Sequence, residues 1–323
     1  MKLATLRISG AERPAVCLTN GDFVDLTVAA EHQILSGAPI GSVVDLLDDR
    51  APQVANVRRL VDQIETGSDS INDRLRAANA VVPAGNAQLA LPVMPKIVLS
   101  TGAAYGAHQA EMKVKGPSEP RGFLKSLQSV TGPRDPILLP THEPDMVDFE
   151  CEFSCVFGRT CYNVGAGEAL DHIAGYTMIN DVSSRYAAGD YIASLKGGDP
   201  NRSCELSDKN IFGKQFPTFC PIGPVITTKD EIPDPHNVSI GTRLNGELMQ
   251  SANTNDLIFK LSEVIAFFSR WFRFQPGDVL TTGSPSGVGF ARNPQVFMKP
   301  GDVVEVFGEG IGSLMNPVEL AKA

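Results

Sequence analysis

Glu150 and Glu152 stand two residues apart in the run DFECEFSCVF, residues 148–157. Alternation along a β-strand puts both carboxylates on one face, with Cα atoms about 6.5–7 Å apart, so both can lean toward one point. Phe149, Cys151, Phe153, Cys155 and Phe157 fall on the opposite face, which reads as core. Two carboxylates about 4 Å apart repel by roughly 4 kcal/mol at an effective dielectric near 20. A solvent-facing strand escapes that cost, and a hard divalent cation (Mg²⁺, Mn²⁺ or Ca²⁺) turns it into binding. The spacing alone admits both readings. The cation reading needs a third oxygen ligand, and YTMINDVSSR, residues 176–185, offers Asp181 at the end of a strand pattern. Asn-Asp is equally turn and capping chemistry. Tyr105, His108 and Glu111 follow one another at i, i+3 and i+6. On a helix His108 and Glu111 are neighbours, and a carboxylate that orients an imidazole makes a general base; a surface His–Glu pair has the same spacing.

The elements that must position these groups are marked by period and punctuation. PKIVLSTG, DPILLP, DFECEFSCVFG, YTMINDV, GPVITT, VSIGTRLNG, DVLTTG and DVVEVFG are strand patterns bounded by Gly, Pro or Asp. The stretch AAYGAHQAEMKVKG, residues 103–116, has helical propensity between breakers. TNDLIFKLSEVIAFFSRWF, residues 254–272, reads as an amphipathic helix with Leu257, Leu261, Val264, Ile265 and Phe268 on one stripe. Residues 194–210 are polar and read as a long loop. Residues 1–90 form a smaller unit, with short strands (KLATLRI, AVCLTN, DFVDLTV), a helical VANVRRLVDQI and nothing that suggests chemistry; the larger unit is 91–323. The stretch GKQFPTF, residues 213–219, lacks the P-loop context, and TTGSPSGVG, residues 281–289, is a turn whose backbone N–H groups could cradle an anion.

The totals set outer limits. The chain has 323 residues, enough for one large core or two domains, and 30 Gly with 23 Pro predict more sheet than helix. A formal charge of −9 argues against a nucleic-acid partner. No run is long and apolar enough to span a membrane, and the N-terminal stretch does not read as a secretion signal. Six cysteines (17, 151, 155, 161, 204, 220) include no CxxC pair, so the expected location is a reducing one, the cytoplasm.

Seven segments in order, YGAHQAE, DFECE, YTMINDVSSR, GKQFPTFCPIGP, LNGELMQSANTNDLIF, PGDVLTTGSPSGVG and KPGDVVEVFGEGIGSLMNPV, resemble the fumarylacetoacetate hydrolase family, in its acylpyruvase and 2-hydroxyhepta-2,4-diene-1,7-dioate isomerase-like branch. The resemblance implies an α+β, mainly β fold: a mixed β-sandwich roll with a small N-terminal α+β domain, assembled as a homodimer. It places a divalent cation, Mg²⁺ with Mn²⁺ or Ca²⁺ as possible alternatives, on Glu150, Glu152 and Asp181. It makes His108 and Glu111 a water-activating dyad on a lid, puts Lys214 in the catalytic cavity, and sets Tyr105, Lys125, Arg185, Thr218 and Thr282 near the substrate. The implied activity is hydrolytic cleavage of a carbon–carbon bond in an acylpyruvate or related 1,3-dicarbonyl compound, through an enolate bound to the cation. The alternative is an isomerase, hydratase or decarboxylase acting on a 2-oxo-diacid, and a non-catalytic binding module ranks last because the dyad is present. Departures from the family pattern are Gly102-Ala103-Ala104-Tyr105, Arg185-Tyr186-Ala187-Ala188 and Pro217, which remove polar contacts and suggest a less polar substrate.

Overall fold

The computed structural model describes residues 1–102, 104–112, 116–197 and 200–322. Ala103 of the Gly102–Tyr105 departure, residues 113–115 of the expected helix 103–116, and residues 198–199 of the expected loop lie outside them.

The strands, in chain order, are β1 Lys2–Ile8, β2 Ala11–Cys17, β3 Phe23–Asp25, β4 Val81–Val82, β5 Val98–Gly102, β6 Arg121–Leu124, β7 Val130–Thr131, β8 Ile137–Leu139 and β9 Val147–Asp148. There follow β10 Cys151–Phe157, β11 Ile173–Asn180, β12 Ser183–Ser184, β13 Cys220–Thr228, β14 Ser239–Leu244, β15 Glu247–Asn253, β16 Val279–Thr281, β17 Val303–Gly308 and β18 Gly312–Leu320. The helices are α1 Leu26–Glu31, α2 Pro52–Glu65, α3 Asp69–Ala77, α4 Gly106–Met112, α5 Ala188–Gly197, α6 Pro200–Phe212 and α7 Leu261–Phe268. One large mixed sheet runs β4-β3-β2-β1-β13-β11-β10-β16-β5-β6, with β7 on β13, and a five-stranded sheet runs β15-β14-β17-β18-β8. The architecture is α+β and mainly β, as expected. The large sheet crosses the 90/91 boundary, because β1 pairs antiparallel with β13.

β10 lies between β11 and β16, and all seven of its residues are buried. Its odd positions, Cys151, Phe153, Cys155 and Phe157, pack with Tyr176 and Met178 of β11, Ile240 and Val306 of the five-stranded sheet, and α7. On its other face Val156 joins a second core built largely from residues 1–90, among them Leu3, Val16, Val57 and Leu60. The solvent-facing reading of Glu150 and Glu152 is thereby excluded: their face is covered as well.

Two expectations are corrected. Residues 194–197 end α5 and residues 200–210 make most of α6 rather than a loop: Pro200 occupies the first turn of α6, where its missing N–H costs nothing, and Leu206 buries the one apolar face a largely polar helix needs. The helix expected over 254–272 is only Leu261–Phe268. Its first half is instead a 3₁₀ turn, Thr254–Asp256, followed by Leu257 in a β-bridge to Tyr105. The Lys260 N–H donates to Glu263 Oε2 at 2.8 Å and starts the helix there.

Candidate active site

One register assembles the acids. Across the antiparallel pair β10–β11, Cys151 faces Asn180 and Glu152 faces Ile179, so Glu150 and Asp181 come together just beyond the ladder. The Asp181 N–H donates to the Glu150 carbonyl at 2.9 Å, and the Glu150 N–H donates to Asn180 Oδ1 at 2.9 Å. Facing residues in such a pair hold Cβ atoms about 4.5–5.5 Å apart. One carboxylate oxygen from each of Glu150, Glu152 and Asp181 lies within 4.8 Å of the other two, and all three residues are buried.

The surroundings of the cluster are charged. Lys214 Nζ donates to Glu150 Oε2 at 2.8 Å, Asp181 Oδ2 at 2.6 Å and Ser183 Oγ at 2.7 Å. Lys125 Nζ donates to Asp181 Oδ1 at 2.6 Å, to the Phe219 carbonyl at 3.0 Å and to the Lys214 carbonyl. Arg185 joins Asp148 Oδ2 through Nε at 2.9 Å and Glu150 Oε1 through a terminal nitrogen at 2.6 Å. Burial alone would raise the pKa of Glu150, but the ammonium of Lys214 and the guanidinium of Arg185 hold it well below the usual carboxylate range. Glu152 goes the other way: burial, then Asp181 and Glu150, push it well above. Burial opposes the charge on Lys214, yet Asp181 and Glu150 outweigh it and keep the group a cation.

His108 Nδ1 lies 3.1 Å from Glu111 Oε2 on α4. The Gly287 N–H donates to both Glu111 oxygens, at 3.0 and 3.2 Å, and ties α4 to the loop after β16. An ionised carboxylate only accepts, so the neutral imidazole carries its proton on Nδ1 and leaves Nε2 as the basic nitrogen. Once protonated, His108 is close enough to the cluster to favour ionised Glu150.

The five residues expected near substrate divide by where their polar atoms go. Arg185 and Lys125 lie against the acid cluster. Tyr105 OH and Thr282 Oγ1 pair at 3.3 Å, both buried, and Thr282 also donates to the Phe153 carbonyl at 2.8 Å. Thr218 Oγ1 accepts from the Leu138 N–H at 2.8 Å, which ties it to β8. The three donors of the Lys125 ammonium are all taken by protein atoms, which aims it at Asp181.

Ser100 was missed from sequence. Its Oγ lies 3.1 Å from Glu152 Oε2, 3.5 Å from Asp181 Oδ2 and 3.2 Å from Thr281 Oγ1. A signal existed: β5 ends in Ser100-Thr101-Gly102, and its parallel neighbour β16 ends at Thr281 and runs on into Thr282-Gly283. Asp148, fully buried, was also missed. It accepts from the N–H groups of Phe149, Gly289 and Phe290 and from Arg185, which fixes the guanidinium on Glu150.

Three hard oxygen donors fit Mg²⁺, Mn²⁺ or Ca²⁺. Counting Asp148, Glu150, Glu152 and Asp181 against Lys125, Lys214 and Arg185 leaves four carboxylates facing three cations. Burial first, and then that imbalance, raise the pKa of Glu152, and a divalent ion would oppose the shift.

Comparison with known proteins identifies the family and the fold. Residues 97–319 match the family profile described as Fumarylacetoacetate (FAA) hydrolase C-terminal. The chain is 36% identical over 279 residues to a mitochondrial oxaloacetate tautomerase of Xenopus laevis, covering 86% of this chain and 83% of that one. Among solved structures, the fumarylacetoacetate hydrolase of Exiguobacterium antarcticum superposes with a TM-score of 0.71 at 28% identity, over 99% of this chain and 100% of that one. A probable 2-hydroxyhepta-2,4-diene-1,7-dioate isomerase of Mycobacterium abscessus gives 0.71 at 26%, over all of both chains.

Proposed function

The chain belongs to the fumarylacetoacetate hydrolase family, and from that premise we propose that it is a divalent-cation-dependent enzyme interconverting the keto and enol forms of a 2-oxo-diacid of the oxaloacetate class. The observation that carries the chemistry is the buried cluster of Glu150, Glu152 and Asp181. The substrate class is supported by the similarity to a relative named as an oxaloacetate tautomerase, against the less polar substrate that the departures at residues 102–105, 185–188 and 217 suggest.

Glu150, Glu152 and Asp181 would hold the cation, which supplies Lewis-acid stabilisation of negative charge on substrate oxygens. The chain's own groups move the proton. His108 Nε2 takes the proton from C3 of the keto acid, and the electron pair of that bond becomes the C2–C3 double bond as charge moves to the C2 oxygen. Return of the proton to that oxygen completes the enol, and the reverse sequence regenerates the keto acid, with no atom gained or lost. Glu111 holds the imidazole and stabilises its charged form. Lys214 keeps a positive charge beside the developing anion.

The pair His108–Glu111 argues for hydrolysis over decarboxylation, because decarboxylation needs no activated water. It does not separate hydrolysis from tautomerisation, since proton transfer at carbon needs the same base. Hydrolysis of an acylpyruvate is therefore the second reading, supported by the likeness to the Exiguobacterium antarcticum hydrolase. A homodimer belongs to the same proposal. A cytoplasmic location belongs to it too: all six cysteines are free thiols, which fits any reducing compartment, and the name of the Xenopus laevis relative says mitochondrial.

The test is the ultraviolet decay of enol-oxaloacetate, run beside acylpyruvate cleavage, with Mg²⁺ or Mn²⁺ and with chelator. The reading predicts cation-dependent tautomerisation that falls about 10²- to 10⁴-fold in His108→Ala. Cleavage of acylpyruvates without tautomerisation would establish the second reading instead.

A further inference from the structure

Gln250, on β15, is 1% exposed and has no assigned role. Its amide makes four hydrogen bonds to three separate parts of the chain. Oε1 accepts from the Cys151 N–H at 2.9 Å and from Thr242 Oγ1 at 2.7 Å. Nε2 donates to Ser284 Oγ at 3.0 Å and to the Pro285 carbonyl at 2.9 Å. Cys151 is the residue between Glu150 and Glu152, and Ser284 and Pro285 begin the loop whose Gly287 N–H holds Glu111. That loop is seated on β15: a Cβ at Gly287 would lie 2.5 Å from the Met249 carbonyl.

We propose that Gln250 is a positioning residue that sets the His108–Glu111 pair against the carboxylate cluster. One side chain fixes the backbone between the two glutamates and the loop that carries the pair's anchor. The amide is saturated, with both lone pairs of Oε1 and both hydrogens of Nε2 used, so it has one orientation and transmits one geometry. The five-stranded sheet, which supplies none of the candidate cation ligands, thereby sets the distance between base and acids. The inference rests on His108 and Glu111 being the base pair of the proposed reaction.

Gln250→Met keeps the volume and removes all four bonds, and Ser284→Ala removes one. Hydrogen exchange by mass spectrometry is followed over residues 106–112, 284–290 and 173–180, beside kcat and KM for oxaloacetate tautomerisation with Mn²⁺. Gln250→Met is expected to speed exchange in 106–112 and 284–290 and leave 173–180 unchanged. It should lower kcat by about 30- to 100-fold with KM within about twofold, because misplacing a base by about 1 Å costs that much. Ser284→Ala should move the same quantities the same way, by less, and carries the comparison alone if Gln250→Met does not fold. Unchanged exchange in both segments, equal acceleration in all three, or faster local exchange at undiminished kcat would each overturn the proposal. If the unaltered protein fails to turn over oxaloacetate, the function reading falls, and the exchange pattern still decides whether Gln250 joins the two halves.

Discussion

At the scale of single residues, the protonation of Glu152 ties the cluster to pH. Its pKa in the folded protein stands above the ordinary glutamate value of 4.5, through burial and then Asp181 and Glu150. The folded state therefore holds a proton that the unfolded state has released. Without a cation, the stability Glu152 contributes is present below 4.5 and is lost as pH rises through the raised value. Glu150, held low by Lys214 and Arg185, has the opposite sign, and its contribution is lost only as pH falls well below the carboxylate range. Cation binding must expel the Glu152 proton. Calorimetric titration with Mn²⁺ in buffers of different ionisation enthalpy should show proton release, and the rise in Tm on adding Mn²⁺ should grow with pH in that window. Asp181→Asn, which removes the acid shared by both lysines, should weaken Mn²⁺ by at least about tenfold, read by electron paramagnetic resonance. Affinity equal to that of the unaltered protein would leave the cluster without a ligand role.

At the scale of elements, the site depends on which strands meet and on how one loop is seated. Gly287 adopts φ +97°, and any side chain there would strike β15. Gly287→Ala should cost about 1–2 kcal/mol for the left-handed backbone alone, measured by urea unfolding, and should lower kcat because the Glu111 anchor moves. Alternation alone placed Glu150 and Glu152 on one face of β10. It could not reveal that the face is covered, since a strand buried on both sides and one facing water share the same pattern until the neighbours are known. The helix α7 shows the converse: Leu257 fits its stripe by period, yet the β-bridge to Tyr105 claims it. The polar composition of residues 194–210 reads as a loop, although one buried leucine suffices to dock α6.

At the scale of the whole molecule, residues 1–90 are structural partners of the candidate site. Val156 of β10, Ile179 of β11, Ile222 and Ile226 of β13 and Val279 of β16 share one core with Leu3, Val16, Val57 and Leu60. Each such side chain contributes roughly 1.5–3 kcal/mol by leaving water. A chain beginning at residue 91 would expose that face of β10, β11 and β13 at once. It should lose cooperative thermal unfolding by calorimetry and bind Mn²⁺ weakly; a stable, cation-binding fragment would show that the two units fold independently.

The sequence by itself determined the residue types and local spacings: a Glu-x-Glu pair, an acid at a strand end, a His–Glu pair one helical turn apart, and the order of segments that marks the family. Those are properties of a few consecutive residues, and alternation and helical period read them directly. Only the tertiary structure decided that Asp181 stands opposite Glu150, that Ser100 and Gln250 join the site, and that Lys125 is spent on Asp181. Those depend on strand register and on contacts across 50 to 100 residues of chain, and each is fixed by the burial of both faces of β10, which no local pattern encodes.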